Sequence, residues 1–164
     1  MTVGSEVTST VSLVQNPAFG ALLLWQFGRS YQQEKPTDLP VLNLHFLVLP
    51  MLLHARTLEK IKSTNPSSGL AQVANKLAAE REQLFSIHGR ALVFRSLTLE
   101  SVGTGIASQL LHLDYDTGKM RSNEARAPRT PERLRYHVRG AEKLGKWFAR
   151  LGPDHVYSLL RVEP

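Results

Sequence analysis

The chain has 164 residues, 42% apolar and 21% charged, which suits one domain, or one domain with a tail, around a buried core. It has no cysteine, which excludes a disulfide framework, a thiolate nucleophile and a zinc knuckle. The formal net charge of +6 and pI near 9.9 point to an anionic partner, nucleic acid or an acidic protein face; the surplus is local, with ten Lys or Arg against four Asp or Glu between Tyr115 and Arg150.

In chain order, residues 1–15 are rich in Ser, Thr and Val, lack the basic start and apolar core of a signal peptide, and are expected to be a flexible tail. Residues 16–164 are expected to form a single helical, winged-helix-like domain. Asn16-Pro17 reads as a cap and first-turn proline, opening a helix to about Gln33. Its apolar residues, Phe19, Leu22, Leu23, Leu24, Trp25 and Phe27, cover more than one stripe, so it is central to the core or buried against a second subunit. Glu34 to Leu39 is a linker. Pro40 to His54 reads as a helix with Pro50 as a kink or a break between two short helices. A turn or two of helix follows over Thr57 to Lys62, ended by Asn65-Pro66.

Ser67 or Ser68 should cap the next helix, in which Leu70, Val73, Ala74, Leu77 and Leu84 keep helical spacing to about Phe85; Gly89 is a candidate interruption. Thr98 is the expected cap of a helix to about Gln109, with Leu99, Val102 and Ile106 facing inward. Gly103 and Gly105 weaken it by about 1 kcal/mol each relative to alanine, and close packing should compensate. Leu111, Leu113 and Tyr115 alternate as a half-buried strand, Asp116-Thr117-Gly118 turns, and Lys119 to Asn123 returns. Glu124 to Arg129 is an exposed connector. Thr130-Pro131 opens a long helix with Leu134, Val138, Ala141, Leu144, Trp147, Phe148 and Leu151 as its buried stripe, closed by Gly152-Pro153. A short helix from Asp154 to Leu160 ends the chain. The fold class is therefore mainly α with one small β-hairpin.

The order of helix, hairpin and helix is that of a winged helix. Its recognition helix would be Thr98 to Gln109, with Glu100, Ser101, Thr104, Ser108 and Gln109 outward and no Arg or Lys among them, so sequence-specific base reading is not expected. Contact with a DNA backbone needs charge alone, and Lys119, Arg121, Arg126 and Arg129 on the wing and its flank supply it. Arg135, Arg139, Lys143, Lys146 and Arg150 recur at spacings of 4, 4, 3 and 4, one stripe of the last long helix. These nine residues are the candidate DNA or partner contacts, with a solvated basic face as the plain alternative. On the contact reading, reversing Arg139 and Lys143 to glutamate weakens partner or DNA binding with little loss of stability; on the alternative, binding of every partner is unchanged.

Chemistry is sparsely marked. Asp116-Thr117-Gly118 matches the aspartic-protease tripeptide, but it sits in a tight turn without a second aspartate, where Asp and Gly serve the turn itself. Gly103-Thr104-Gly105 is too short for a phosphate loop, and no Gly-Lys-Ser or Gly-Lys-Thr occurs. The six histidines fall at no three- or four-residue spacing with one another, so neither metal nor cofactor is expected. A non-enzymatic protein is the expectation. The longest apolar runs are too short to span a bilayer, so no membrane contact and a cytoplasmic location are expected.

Asn16 through Phe27, Pro40 through His54, Gly105 through Asp114, and the closing Gly145-Lys-Trp-Phe-Ala-Arg150 and Tyr157-Ser-Leu-Leu-Arg-Val162 together resemble the middle component of bacterial three-component ABC ATPase systems. The resemblance covers the chain beyond its first dozen residues. It implies an adaptor between an ABC-type, DNA-managing ATPase subunit and an effector subunit, in defence against phages or other mobile DNA, and it transfers no site residue. Trp25, Phe27, Tyr31, Phe46, Trp147 and Phe148 are not all assignable to a single core from sequence: an excess would mark an interface, and a well-packed helical core could equally absorb every one of them. The rival reading is a free-standing winged-helix DNA-binding regulator.

Overall fold

Asn16 caps the first helix as its sequence predicts, its side-chain oxygen accepting from Ala18 N at 2.8 Å with Pro17 at the first position. A computed structural model describes residues 15–164, and for residues 81–85 the backbone alone. The expected tail therefore lies outside the described residues except for Gln15. Helix α1 (Pro17–Glu34) is the centre of the fold. Leu23, Leu24, Trp25 and Phe27 are all buried, on more than one side of it. The reason is that α7 (Arg135–Leu151) packs on one side while α6 (Arg95–Ala107) and strand β2 (Met120–Ser122) pack on others.

Close approach requires small residues on α1 and α7. A Cβ on Gly145 would collide with the Phe27 carbonyl and lie 2.8 Å from Ser30 Cβ and 3.0 Å from Tyr31 N. The same closeness places Ser101 of α6 against Gly20 and Ser122 against Gly28. Trp25, Phe27, Tyr31, Trp147 and Phe148 are buried in one core, and Phe46 is half-buried, so these six leave no aromatic excess at the surface. Among the described residues the exposed large apolar side chains are others: Leu92, Val93 and Leu99, with Tyr115 and Tyr136.

Helix α2 (Leu42–Leu52) carries Pro50 inside it, and the break falls after it, at Leu53 and His54. Proline lacks the N–H that would bond Phe46 and its ring crowds that carbonyl, yet the helix lasts two residues more, to Leu52. The His54 ring then caps α3 (Ala55–Lys62), which starts two residues earlier than Thr57. Gly69, at φ 83°, precedes α4 (Leu70–Ala78), so neither Ser67 nor Ser68 is the cap; Asn65 instead accepts from Ser67 N in the preceding turn. The expected helix to Phe85 divides at Ala79 and Glu80, where Glu80 leaves helical geometry (φ −116°, ψ 83°) and lies 3.9 Å from both Arg56 and Lys60. Helix α5 (Arg81–Val93) then runs through Gly89 without interruption; the Leu84 side chain is outside those described.

Helix α6 begins at Arg95, directly after Phe94, so Thr98 is a buried residue of the helix and not its cap. The hairpin pairs β1 (Leu111–Leu113) with β2 antiparallel, Leu111 opposite Ser122 and Leu113 opposite Met120. Asp114 holds the turn by accepting from Asp116 N at 2.9 Å, and Gly118 takes φ 70°. Tyr115 belongs to that turn and is 84% exposed, which corrects its expected place on the strand. On its outer edge β2 is tied to the stretch before α2, with Leu42 N donating to Gly118 O and Met120 N to Pro40 O. Glu132–Leu134 form a single 3-10 turn ahead of α7, so the long helix starts four residues later than Pro131. Gly152 at φ 83° ends it, and α8 (Pro153–Leu160) closes the described chain. No helix among the described residues is long and apolar enough to cross a membrane.

Candidate functional site

Along α7 the apolar stripe turns Ala141, Leu144, Trp147 and Phe148 into the core, which leaves the basic stripe beside it on the rim. The five cations of that stripe then take different roles. Lys143 Nζ donates to three carbonyls at the end of α3 and just beyond: Ile61 at 3.2 Å, Lys62 at 3.2 Å and Thr64 at 2.9 Å. These are acceptors that a helix C-terminus leaves without partners, and a cation there also meets the negative end of the helix dipole. Burial, then the positive charges of Lys76 and Arg139, hold the Lys143 ammonium below the usual lysine range. Reversing this residue to glutamate would therefore set a carboxylate against three carbonyls, so the expectation of little lost stability does not hold for Lys143.

Arg150 is also engaged within the fold. Its Nε donates to Glu34 Oε1 at 2.8 Å and its Nη1 to the Pro66 carbonyl at 3.1 Å, which Trp147 Nε1 also reaches at 2.9 Å. Arg135, Arg139 and Lys146 make no hydrogen bond or ion pair among the described residues; Arg135 and Arg139 are exposed and Lys146 is half-buried. On the hairpin, Lys119 pairs with Asp38, whose carboxyl it holds below the usual range, chiefly through that hydrogen bond. Arg121, Arg126 and Arg129 are exposed. The nine expected contacts thus fall on two areas, hairpin with connector and the α7 rim, and Lys119, Lys143 and Arg150 have partners of their own.

Two residues that the spacing argument passed over complete a cleft at the α7 rim. Lys62, at the end of α3, has its ammonium 3.9 Å from the centre of the Tyr136 ring. With Pro66, Arg139, Lys143 and Lys146 they line a cavity of about 390 Å³, in which Glu142 is the sole carboxylate. Lys62 lies far from α7 in sequence, so helical spacing had no means to find it.

The expected recognition helix, α6, is turned from its expected face. Thr98, Ser101, Val102 and Gly105 point inward, Leu99 is 48% exposed, and Glu100, Ser108 and Gln109 are exposed. Ser101 therefore leaves the outward set and Leu99 the inward one. Gly105 is packed as expected, a Cβ there lying 2.9 Å from Leu111 Cγ, whereas Gly103 faces open space.

No group of three or more metal-ligating side chains gathers among the described residues. Asp116 is exposed in the hairpin turn. His45 is fully buried, its Nδ1 in contact with the Val41 carbonyl at 3.1 Å, and burial pushes its pKa down to about 4. Its ring meets Phe27 edge-on at 5.2 Å, the setting of a neutral core histidine.

Residues 4–164 match the family described as ABC-three component (ABC-3C) system Middle Component 3. No curated protein and no solved structure gives a match. With nearly the whole chain inside that match, the chain belongs to the Middle Component 3 family of ABC-three component systems.

Proposed function

We propose that the protein is a non-catalytic adaptor that joins an ABC-type, DNA-managing ATPase subunit to an effector subunit in a bacterial defence system. The observation that carries this reading is the family match across residues 4–164, since a middle component works with other components. Surface chemistry supports it. Leu92, Val93 and Leu99, at 61%, 79% and 48% exposure, lie at the end of α5 and in the first turns of α6, where apolar surface is best covered by a protein partner.

The test is co-expression with the ATPase and effector of the same system, followed by tagged recovery with nuclease present. Recovery of the ATPase through the wash supports the adaptor, and Leu92→Asp with Val93→Asp should reduce it at least tenfold while the protein stays folded. Failure to recover either component, with all three expressed and folded, would overturn it. A free-standing winged-helix regulator is the weaker reading, because Arg95 at the start of α6 is its one exposed cation and the other exposed positions, Ser96, Leu99, Glu100, Gly103 and Ala107, offer duplex DNA none.

A further inference from the structure

Two clefts meet at Tyr136. On one side lies the basic cavity of about 390 Å³ between the end of α3 and the rim of α7. On the other lies a cavity of about 550 Å³ with a mostly apolar wall, in which Leu52, Leu53, Leu58, Phe94 and His137 take part. Lys62 and Tyr136 line both.

The basic cleft is unbalanced as it stands. Lys62, Arg139, Lys143 and Lys146 face Glu142 alone, and Lys143 has its donors on carbonyls. Arg139 and Lys146 keep all their donors free among the described residues, so four like charges are held together with Glu142 as the one carboxylate lining the cleft. The walls are fixed in place. Lys143 ties the end of α3 to α7, Trp147 and Arg150 hold the Pro66 carbonyl, and Lys76 Nζ donates to Ser63 O at 3.0 Å and Thr64 Oγ1 at 2.9 Å. A site so held needs little rearrangement to accept a ligand. An arginine fork beside an ammonium suits phosphate oxygens. Across Tyr136, ring and aliphatic surface suits a flat, weakly polar group. Phosphate and flat group joined at short distance describe a nucleotide with its base free, whereas a duplex keeps its bases stacked inside and a purely acidic peptide such as polyglutamate has no flat group for the second cleft.

We propose that the paired clefts bind single-stranded nucleic acid, with a phosphate held by Arg139 and Lys146 on one side of Tyr136 and a base laid in the apolar cleft on the other. This goes beyond the adaptor reading and does not rest on it, since strand binding and partner recovery are measured separately.

The experiment is an anisotropy titration of fluorescein-labelled oligothymidine with the full chain, at about 50 and about 200 mM salt. One phosphate neutralised on a single strand gives a log–log salt slope of about −0.7, so affinity should fall about 2.6-fold across that range. Arg139→Glu with Lys146→Glu should weaken binding tenfold or more. Tyr136→Ala should weaken it about fivefold or more, the lower end of one lost base stack. Tyr136→Phe should restore it, and Tyr136→Leu serves in place of the alanine variant if that variant melts early. Absence of oligothymidine binding at low salt overturns the proposal, as does a charge-reversed variant that binds like the wild type. Equal binding of a duplex of the same length, or equal displacement by inorganic triphosphate or polyglutamate, also overturns it, because each removes the role of the free base.

Discussion

Lys143→Met tests whether a cation on α7 holds the end of α3. Methionine keeps most of the aliphatic stem and removes the ammonium, which donates to the carbonyls of Ile61, Lys62 and Thr64 at 2.9 to 3.2 Å. Hydrogen bonds from a charged donor contribute about 1.5–3 kcal/mol when buried, and a cation at a helix C-terminus about 0.3–1 kcal/mol. Lys143 is half-buried, so water can reach part of the vacated site and the three bonds do not add in full. A loss of about 2 kcal/mol follows. With a urea m-value of about 2 kcal/mol/M, the midpoint should fall by about 1 M at unchanged m. Thermal melting should drop by about 4–8 °C. Lys146→Met, on the same helix and without a hydrogen-bond or ion-pair partner among the described residues, should stay within about 0.5 kcal/mol of wild type. Equal midpoints for Lys143→Met and wild type would refute the carbonyl clamp, and an equal drop for both variants would reduce it to a general effect of lost charge.

Three further outcomes follow from the packing and the titrating groups. Gly145→Ala should destabilise by about 3 kcal/mol or more, because its Cβ would push into the Phe27 backbone where α1 and α7 touch, and urea denaturation reads this directly. Gly103→Ala, in open space on α6, should stabilise by up to about 1 kcal/mol in the same assay. His45 titrates near 6.5 when unfolded and near 4 when folded, so the unfolded chain binds the extra proton between those values. Its contribution is therefore fully present above about pH 6.5, and on the order of 3 kcal/mol of stability is lost as pH falls to about 4. Urea midpoints taken along that pH range should decline less in His45→Leu, and an identical decline in both proteins would show that other groups carry the effect.

Two helix ends were legible from local punctuation, whereas Thr130-Pro131, Ser67 or Ser68 and Thr98 misplaced helix starts. Asn16-Pro17 and Gly152-Pro153 stand where a side-chain cap, a fixed proline φ and a positive glycine φ act within a few residues, and the structure keeps both. The turn before β2 was legible for the same reason, with Gly118 at φ 70°. The division of the expected helix at Glu80 was not, because Leu77 and Leu84 keep seven-residue spacing and no breaker lies between them. The face of α6 was misread because its inner residues are small: Thr98 and Ser101 pack against close neighbours, and hydrophobic periodicity gives weight to Leu99 instead. Tertiary closeness to Gly20 decides that face, and no local pattern encodes it.

The basic stripe shows the same limit at the level of function. Helical spacing places Arg139, Lys143, Lys146 and Arg150 together on the rim, but their partners come from distant chain: carbonyls of residues 61–64 for Lys143, Glu34 and Pro66 for Arg150. Two of the four cations thus stabilise the fold, and two remain with donors free among the described residues. Loss of binding in Lys143 or Arg150 variants would mix a weakened scaffold with a lost contact. Arg139 and Lys146 report on a ligand more directly, since neither makes a hydrogen bond or ion pair among the described residues and the charge of Arg139 acts on the fold only by repelling the Lys143 ammonium. Charge reversal confined to that pair, with melting temperature held, separates a binding surface from a solvated one; the same reversal at Lys143 cannot.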